Sequence, residues 1–242
     1  MFLWILATLV AFFIKGLCGF ANTLVFTSIM GFGEANVNIS PVELILGFPS
    51  NLILTWKNRK KLNPSVFIPL AALVLCGSIP GAILLKNLNV QYLKIVCGIV
   101  IVLIGIEMMF REFKSSKVKE SKILLGIIGL LSGILCGLFG IGALLAAYVG
   151  RVTKTTDEFK ANISAVFIVE NTFRIILYSV IGVITLESIK NAVLLMPVML
   201  IGLFLGIKSG QILDDKLVKK IVIVLLIISG IVLVANNIIV LI

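Results

Sequence analysis

The sequence predicts an all-α polytopic membrane protein. It is built as two inverted repeats of about four helical segments, each starting with a Gly-broken helical hairpin. Three observations carry this expectation. Of the 242 residues, 60% are apolar and only 13% charged, whereas soluble domains average roughly 45–50% apolar. Runs such as 66–85 and 221–242 approach or reach the ~20 residues that cross a hydrocarbon core as helix. Two glycine-punctuated breaks, Lys15-Gly16-Leu17-Cys18-Gly19-Phe20-Ala21-Asn22 and Cys136-Gly137-Leu138-Phe139-Gly140-Ile141-Gly142-Ala143, interrupt apolar segments half a chain apart. Lipid cannot satisfy the backbone groups such breaks release, so each break must be buried in protein or line a watery cavity. A matched pair, one per half, points to a transporter binding site.

The first repeat, residues 1–110, holds apolar segments at 2–33, 42–56, 66–85 and 91–110. A hydrophilic linker, 111–122, separates it from the second repeat, 123–242, with segments at 122–149, 161–185, 190–207 and 217–241. The first segment of each repeat is long for one span and short for two, the length of two half-helices meeting at a tip. A single tilted helix is the competing reading. Gly77 and Gly81 in the third segment correspond to Gly206 and Gly210, and Ser50-Asn51 to the neighbourhood of Glu170-Asn171-Thr172. Small residues four apart let helices approach closely, so both glycine pairs are expected on packing faces.

Loop charges set the relative sense of the repeats. The net charge of +10 is carried by short loops between spans, which indicates positive-inside topology and anionic lipid rather than nucleic acid. With hairpin first segments, Lys57 to Lys61, the linker, Arg151 to Lys160 and Lys208 to Lys220 place sixteen basic residues on one face. Only Lys86, Lys94 and Lys190 remain on the other. Single crossings would split them ten against nine. The asymmetric arrangement is preferred, giving inverted repeats, a cytoplasmic linker and both termini outside, in the cell (inner or cytoplasmic) membrane. Met1 to Ile14 lacks a basic n-region, and no A-x-A site follows, so it is read as a retained first segment.

The chemistry is bounded by what is missing. The chain contains no histidine, which removes His triads and His metal sites; no cofactor or metal is implied, and the protein is not expected to be an enzyme. Cys18, Cys76, Cys97 and Cys136 form no metal-binding spacing and are read as packing residues. A half-helix starting at a buried glycine break directs unsatisfied N–H groups at the membrane interior, which suits an anion. The expected tips are Gly16, Gly19, Asn22 and Thr23 in the first repeat and Gly137, Gly140 and Gly142 in the second. Asn22 and Thr23 either donate to substrate or cap their own half-helix.

Ionisable groups within spans are costly, and so are functional candidates. Lys15 either adds a positive charge beside the first tip or snorkels to a headgroup. Arg174 either grips an oxyanion with its planar fork or is neutralised by Glu170 at i,i+4. Asn171, Thr172, Ser50 and Asn51 are the expected neutral donors. Glu34 and Glu43 are placed at the outer mouth, in water.

Ser132-Gly133-Ile134-Leu135-Cys136-Gly137-Leu138-Phe139-Gly140-Ile141-Gly142, with its weaker echo at Gly16 to Phe20, resembles the S-G-x-x-x-G-x-F-G-I-G pattern of the TauE/SafE family of sulfite exporters and sulfonate permeases. Ala143 and Leu144 stand where that pattern continues with glycine. The resemblance implies a duplicated inner-membrane carrier of about eight spans for sulfite, sulfoacetate and related anions. The predicted function is therefore transport of a small sulfur-containing anion across the lipid bilayer by alternating access. A coupling proton or sodium ion is compatible with this layout. The alternative is a permease for a neutral or zwitterionic sulfur compound or an amino acid.

Overall fold

The computed structural model describes residues 1–30, 36–84, helical positions between 95 and 110, and 143–239. Every regular element among them is helical. In chain order these are α1 (Phe2–Cys18), α2 (Asn22–Met30), α3 (Asn36–Lys57), a single 3-10 turn (Arg59–Lys61), α4 (Pro64–Leu84), α5 (Ala143–Val152), α6 (Thr156–Val180), α7 (Leu186–Ile212) and α8 (Asp215–Ile239). The linker at 111–122 and the second glycine break at 136–143, apart from Ala143 itself, lie outside the described residues.

Local signals account for the helix ends. Pro64 opens α4, where its missing N–H costs nothing. The Thr155 hydroxyl accepts from the Glu158 backbone at the start of α6, and Thr185 and Ser188 form a reciprocal capping box at the start of α7. Among the described residues, three helices are long and apolar enough to cross a membrane: Ile39–Lys57 within α3, Thr156–Val180 and Leu186–Ile212. Their polarity is inverted relative to a soluble protein. Glu170, Asn171 and Arg174 of α6 face inward while Ile176 and Val180 are exposed; α7 exposes Val193, Leu194, Ile201, Phe204 and Leu205. Apolar residues outside and charges inside are what lipid as solvent selects.

The core is organised by a parallel crossing of α1 on α7 made by glycines. A side chain at Gly16 would meet the Leu203 carbonyl at 2.2 Å, and one at Gly206 the Phe13 carbonyl at 2.0 Å. A side chain at Gly202 would also clash, meeting the Leu9 carbonyl at 2.6 Å. The two backbones therefore touch, the arrangement small-residue stripes permit in membranes. Gly206 and Gly210 behave as the packing glycines expected from sequence. Gly98 and Gly230 make a second such contact, between the 95–110 region and α8.

The first glycine break is a genuine helix end. Gly19 takes a left-handed conformation (φ 89°) and its N–H bonds the Lys15 carbonyl at 2.6 Å, a C-cap that glycine adopts without the Cβ penalty. Ala21 is also left-handed (φ 72°), a conformation that costs an L-residue about 1–2 kcal/mol, and α2 begins at the next residue. Phe26 of α2 then stacks edge-on with Trp4 near the start of α1, with ring centroids 5.9 Å apart. The depth of the break differs from expectation. The 17 residues of α1 extend about 25 Å, more than a half-helix, and Leu17 lies level with Gly210 in the last turn of α7. The break thus sits near one end of α7 rather than at its middle.

Contacts also sort the loops by end. Met1, Pro41 of α3 and the α6–α7 connection at Gly182 and Val183 line one cavity. At the opposite end, the Asn63 N–H bonds the Asn162 side chain of α6 at 3.0 Å, and Gly210 meets Lys160. Lys57 to Lys61, Lys154, Lys160 and Lys208 belong to this second end.

Gly206→Leu is expected to force α1 from α7 and to destabilise the solubilised protein by on the order of 2–3 kcal/mol or more. Gly182→Ala, at a left-handed residue with open space around it (φ 74°), should cost only about 1–2 kcal/mol. Thermal unfolding in detergent, followed by loss of the monodisperse peak, ranks the two.

Candidate functional site: a buried charge cluster

Three helices contribute ionisable side chains to one interior cluster, and a fourth adds neutral donors. Lys15 comes from α1, Glu43 from α3, and Glu170 and Arg174 from α6; α2 adds Asn22 and Thr23. Lys15 is 1% exposed, Glu43 3%, Glu170 2% and Arg174 2%. Taking such groups from water costs several kcal/mol per ion unless each finds a partner.

The placements follow from helical geometry. Glu43, Gly47 and Asn51 recur every four residues and share one face of α3, as Glu170, Arg174 and Tyr178 share one face of α6. Pro41 and Pro49 lie within α3 on either side of Glu43 and Gly47. Each removes a helix hydrogen bond and interrupts the regular helix around this face. Gly47 leaves room for its neighbours: a side chain there would meet the Asn171 amide at 3.4 Å, Glu43 Oε1 at 3.5 Å and the Asn22 amide at 3.7 Å.

Partners fall into two linked groups. Glu43 Oε1 accepts from Asn22 Nδ2 and from Thr23 Oγ1 at 2.9 Å. Lys15 Nζ donates to the Gly47 carbonyl at 3.4 Å and stands 5.7 Å from the Phe12 ring centroid; it does not snorkel outward. The same carbonyl accepts from Ser50 Oγ at 2.6 Å. Arg174 pairs with Glu170 at 3.4 Å and lies over the Tyr178 ring at 5.5 Å, while the Tyr178 hydroxyl meets Ser40 Oγ at 3.5 Å. Charge couples the groups, because Glu43 and Glu170 both act on Lys15 and Glu43 acts on Glu170. Two cations and two carboxylates leave the formal charge balanced.

Of the residues singled out from sequence, Lys15, Asn22, Thr23, Ser50, Glu170, Asn171 and Arg174 come together here. Asn51 is 1% exposed, one turn beyond Gly47, and its Oδ1 has no partner among the described residues; that leaves an acceptor open to a donor. Thr172 is turned away, exposed and bonded to the Ile168 carbonyl. Gly16 is packed on α7, and a side chain at Gly19 would meet the Lys160 side chain at 2.8 Å. Gly137, Gly140, Gly142 and Glu34 lie outside the described residues.

Glu43 is the main departure. Sequence placed it in water at the outer mouth, but α3 begins at Asn36, a turn and a half before the apolar run, which carries Glu43 inside. The available signal was its spacing: Glu43 is four residues before Gly47 and eight before Asn51, on the face already assigned to the site. Tyr178, one turn beyond Arg174, was readable in the same way.

No match was found among curated proteins or solved structures. The family model described as Sulfite exporter TauE/SafE matches residues 4–233, nearly the whole chain and every helix that builds the cluster. The chain therefore belongs to the TauE/SafE sulfite exporter family.

Proposed function

We infer that this protein carries a small sulfur-containing oxyanion or organosulfonate, of the sulfite or sulfoacetate kind, across the cytoplasmic membrane. The observation that carries this reading is the burial of Lys15 and Arg174, contributed by opposite halves of the chain, in one polar cluster. Two cations beside neutral amides, in a low-dielectric interior, form a site that an oxyanion satisfies with several charge-assisted hydrogen bonds. Arg174 supplies the planar fork that two oxyanion oxygens fit. Lys15, Asn22, Asn51 and Asn171 supply further donors, with Thr23 and Ser50 beside them. Glu170 acts as a counter-charge to Arg174.

Inverted repeats moving against each other expose the cluster to one side and then the other. Supporting this are the single end shared by Met1, Pro41 and the α6–α7 connection and the gathering of Lys57 to Lys61, Lys154 and Lys208 at the other. The basic end is cytoplasmic, and the protein is multi-pass. A second reading is favoured by the two carboxylates: a zwitterionic sulfur compound would place its ammonium by Glu43 or Glu170 and its anionic group by Lys15 and Arg174.

Uptake into proteoliposomes of sulfite, sulfoacetate, thiosulfate and sulfate tests the first reading, and taurine added to the panel tests the second. Lys15→Ala and Arg174→Ala are each expected to lower uptake at least about tenfold, the loss of one charged hydrogen bond. Unchanged uptake in both variants contradicts the site. For topology, Lys60→Cys is expected to react with a membrane-impermeant thiol reagent from the cytoplasmic side only, and Lys190→Cys from the outer side only. Labelling of both from one side contradicts the arrangement.

A further inference from the structure

The place an incoming anion would take is already filled. Asn22 and Thr23, the first two residues of α2, point their side-chain donors at Glu43 Oε1. Lys15 stands close enough to feel its charge. Glu43 is thus an internal anion on the donors that the transport reading assigns to substrate.

Charge balance makes this consequential. Lys15 and Arg174 are matched by Glu43 and Glu170, so an added anion leaves a negative charge uncompensated in a buried place, at a cost of several kcal/mol. One proton on a carboxylate lowers that excess. Glu170 is tied to Arg174 within its own helix. Glu43 is held across helices by neutral donors, and these are free to turn to another acceptor. A cavity of about 350 Å³, lined by Trp4 and Pro41 among others, reaches α3 two residues from Glu43.

We propose that Glu43 is the proton-coupling group of this carrier: ionised, it occupies the donors of Asn22 and Thr23, and protonated it yields them to the anion. A proton from cavity water forms an O–H bond on the Glu43 carboxylate as the anion arrives. It leaves to water on the other side as the anion departs, so one proton accompanies each bound anion: a monoanion crosses without net charge, and a dianion such as sulfoacetate carries one net negative charge. The groups facing Glu43 are Lys15 from α1, Asn22 and Thr23 from α2, and Glu170 and Asn171 from α6, with Arg174 held on Glu170. The charged residues of α7, Glu187, Lys190 and Lys208, are exposed. The proposal rests on the anion-transport reading above.

The test compares sulfoacetate and sulfite uptake by the parent protein and Glu43→Gln in the same solutions, with and without an acid-outside pH gradient; the shared solutions cancel any change in anion speciation. The parent is expected to accumulate anion by up to about tenfold per unit of pH gradient, the limit for one coupled proton. In Glu43→Gln that response, taken relative to the variant's own uptake without a gradient, is expected to fall below twofold. Thr23→Val keeps every charge but removes one donor to the ionised carboxylate, and is expected to move the pH midpoint of uptake to a more alkaline value. A parent indifferent to the gradient, a Glu43→Gln variant that keeps its response, or an unmoved midpoint in Thr23→Val overturns the proposal while leaving anion transport standing. A parent that moves neither anion overturns both.

Discussion

The mutual neutralisation of two buried cations by two buried carboxylates is the constraint on which the rest of the structure depends. No single helix achieves it. Lys15 on α1 needs Glu43 on α3 and Glu170 on α6 within reach, and Glu43 needs the donors at the start of α2. Breaking such a set by removing one member leaves an uncompensated charge, which is far more destabilising than never having buried the set. The arrangement therefore fixes how α1, α2, α3 and α6 sit relative to one another, and it is retained where an apolar core would be cheaper. Under the proposed transport reading, a binding role gives that cost a reason.

Glycine makes the cluster possible without belonging to it. Gly16, Gly202 and Gly206 bring the backbones of α1 and α7 into contact, which seats the α1 face carrying Lys15 against the bundle. Gly19 ends α1 one turn after Lys15, so that Asn22 and Thr23 can start a new helix with their side chains turned toward α3. The sequence motif around Gly16 thus has two duties, close packing by its first glycine and chain reversal by its second.

Much of this was legible in the sequence because lipid is a severe solvent. The apolar spans, the inward polar residues Asn171 and Arg174, the packing duty of Gly206 and the helix end at Gly19 each follow from a rule with few exceptions in a bilayer. Family membership was readable from the glycine motif at 132–142. Glu43 was missed because the apolar run at 42–56 marks where hydropathy changes, whereas α3 starts at Asn36, and the six further helical residues at 36–41 carry the carboxylate inside. The depth of the break was missed because a tip's position depends on its neighbours: Leu17 lies beside Gly210 through a tertiary contact that no local pattern encodes. Thr172 was assigned by adjacency to Asn171, yet neighbouring helical residues point about 100° apart, and it faces outward.

The most direct test of the account is a double-mutant cycle on thermal stability in detergent, with Lys15→Met, Glu43→Gln and the combined variant. If the two charges neutralise each other in the interior, each single substitution strands its partner, and the pair is less destabilising than the sum of the singles by at least about 1 kcal/mol. Additivity to within about 0.5 kcal/mol would mean that the two groups do not depend on each other, and would contradict the balanced cluster from which the site is built.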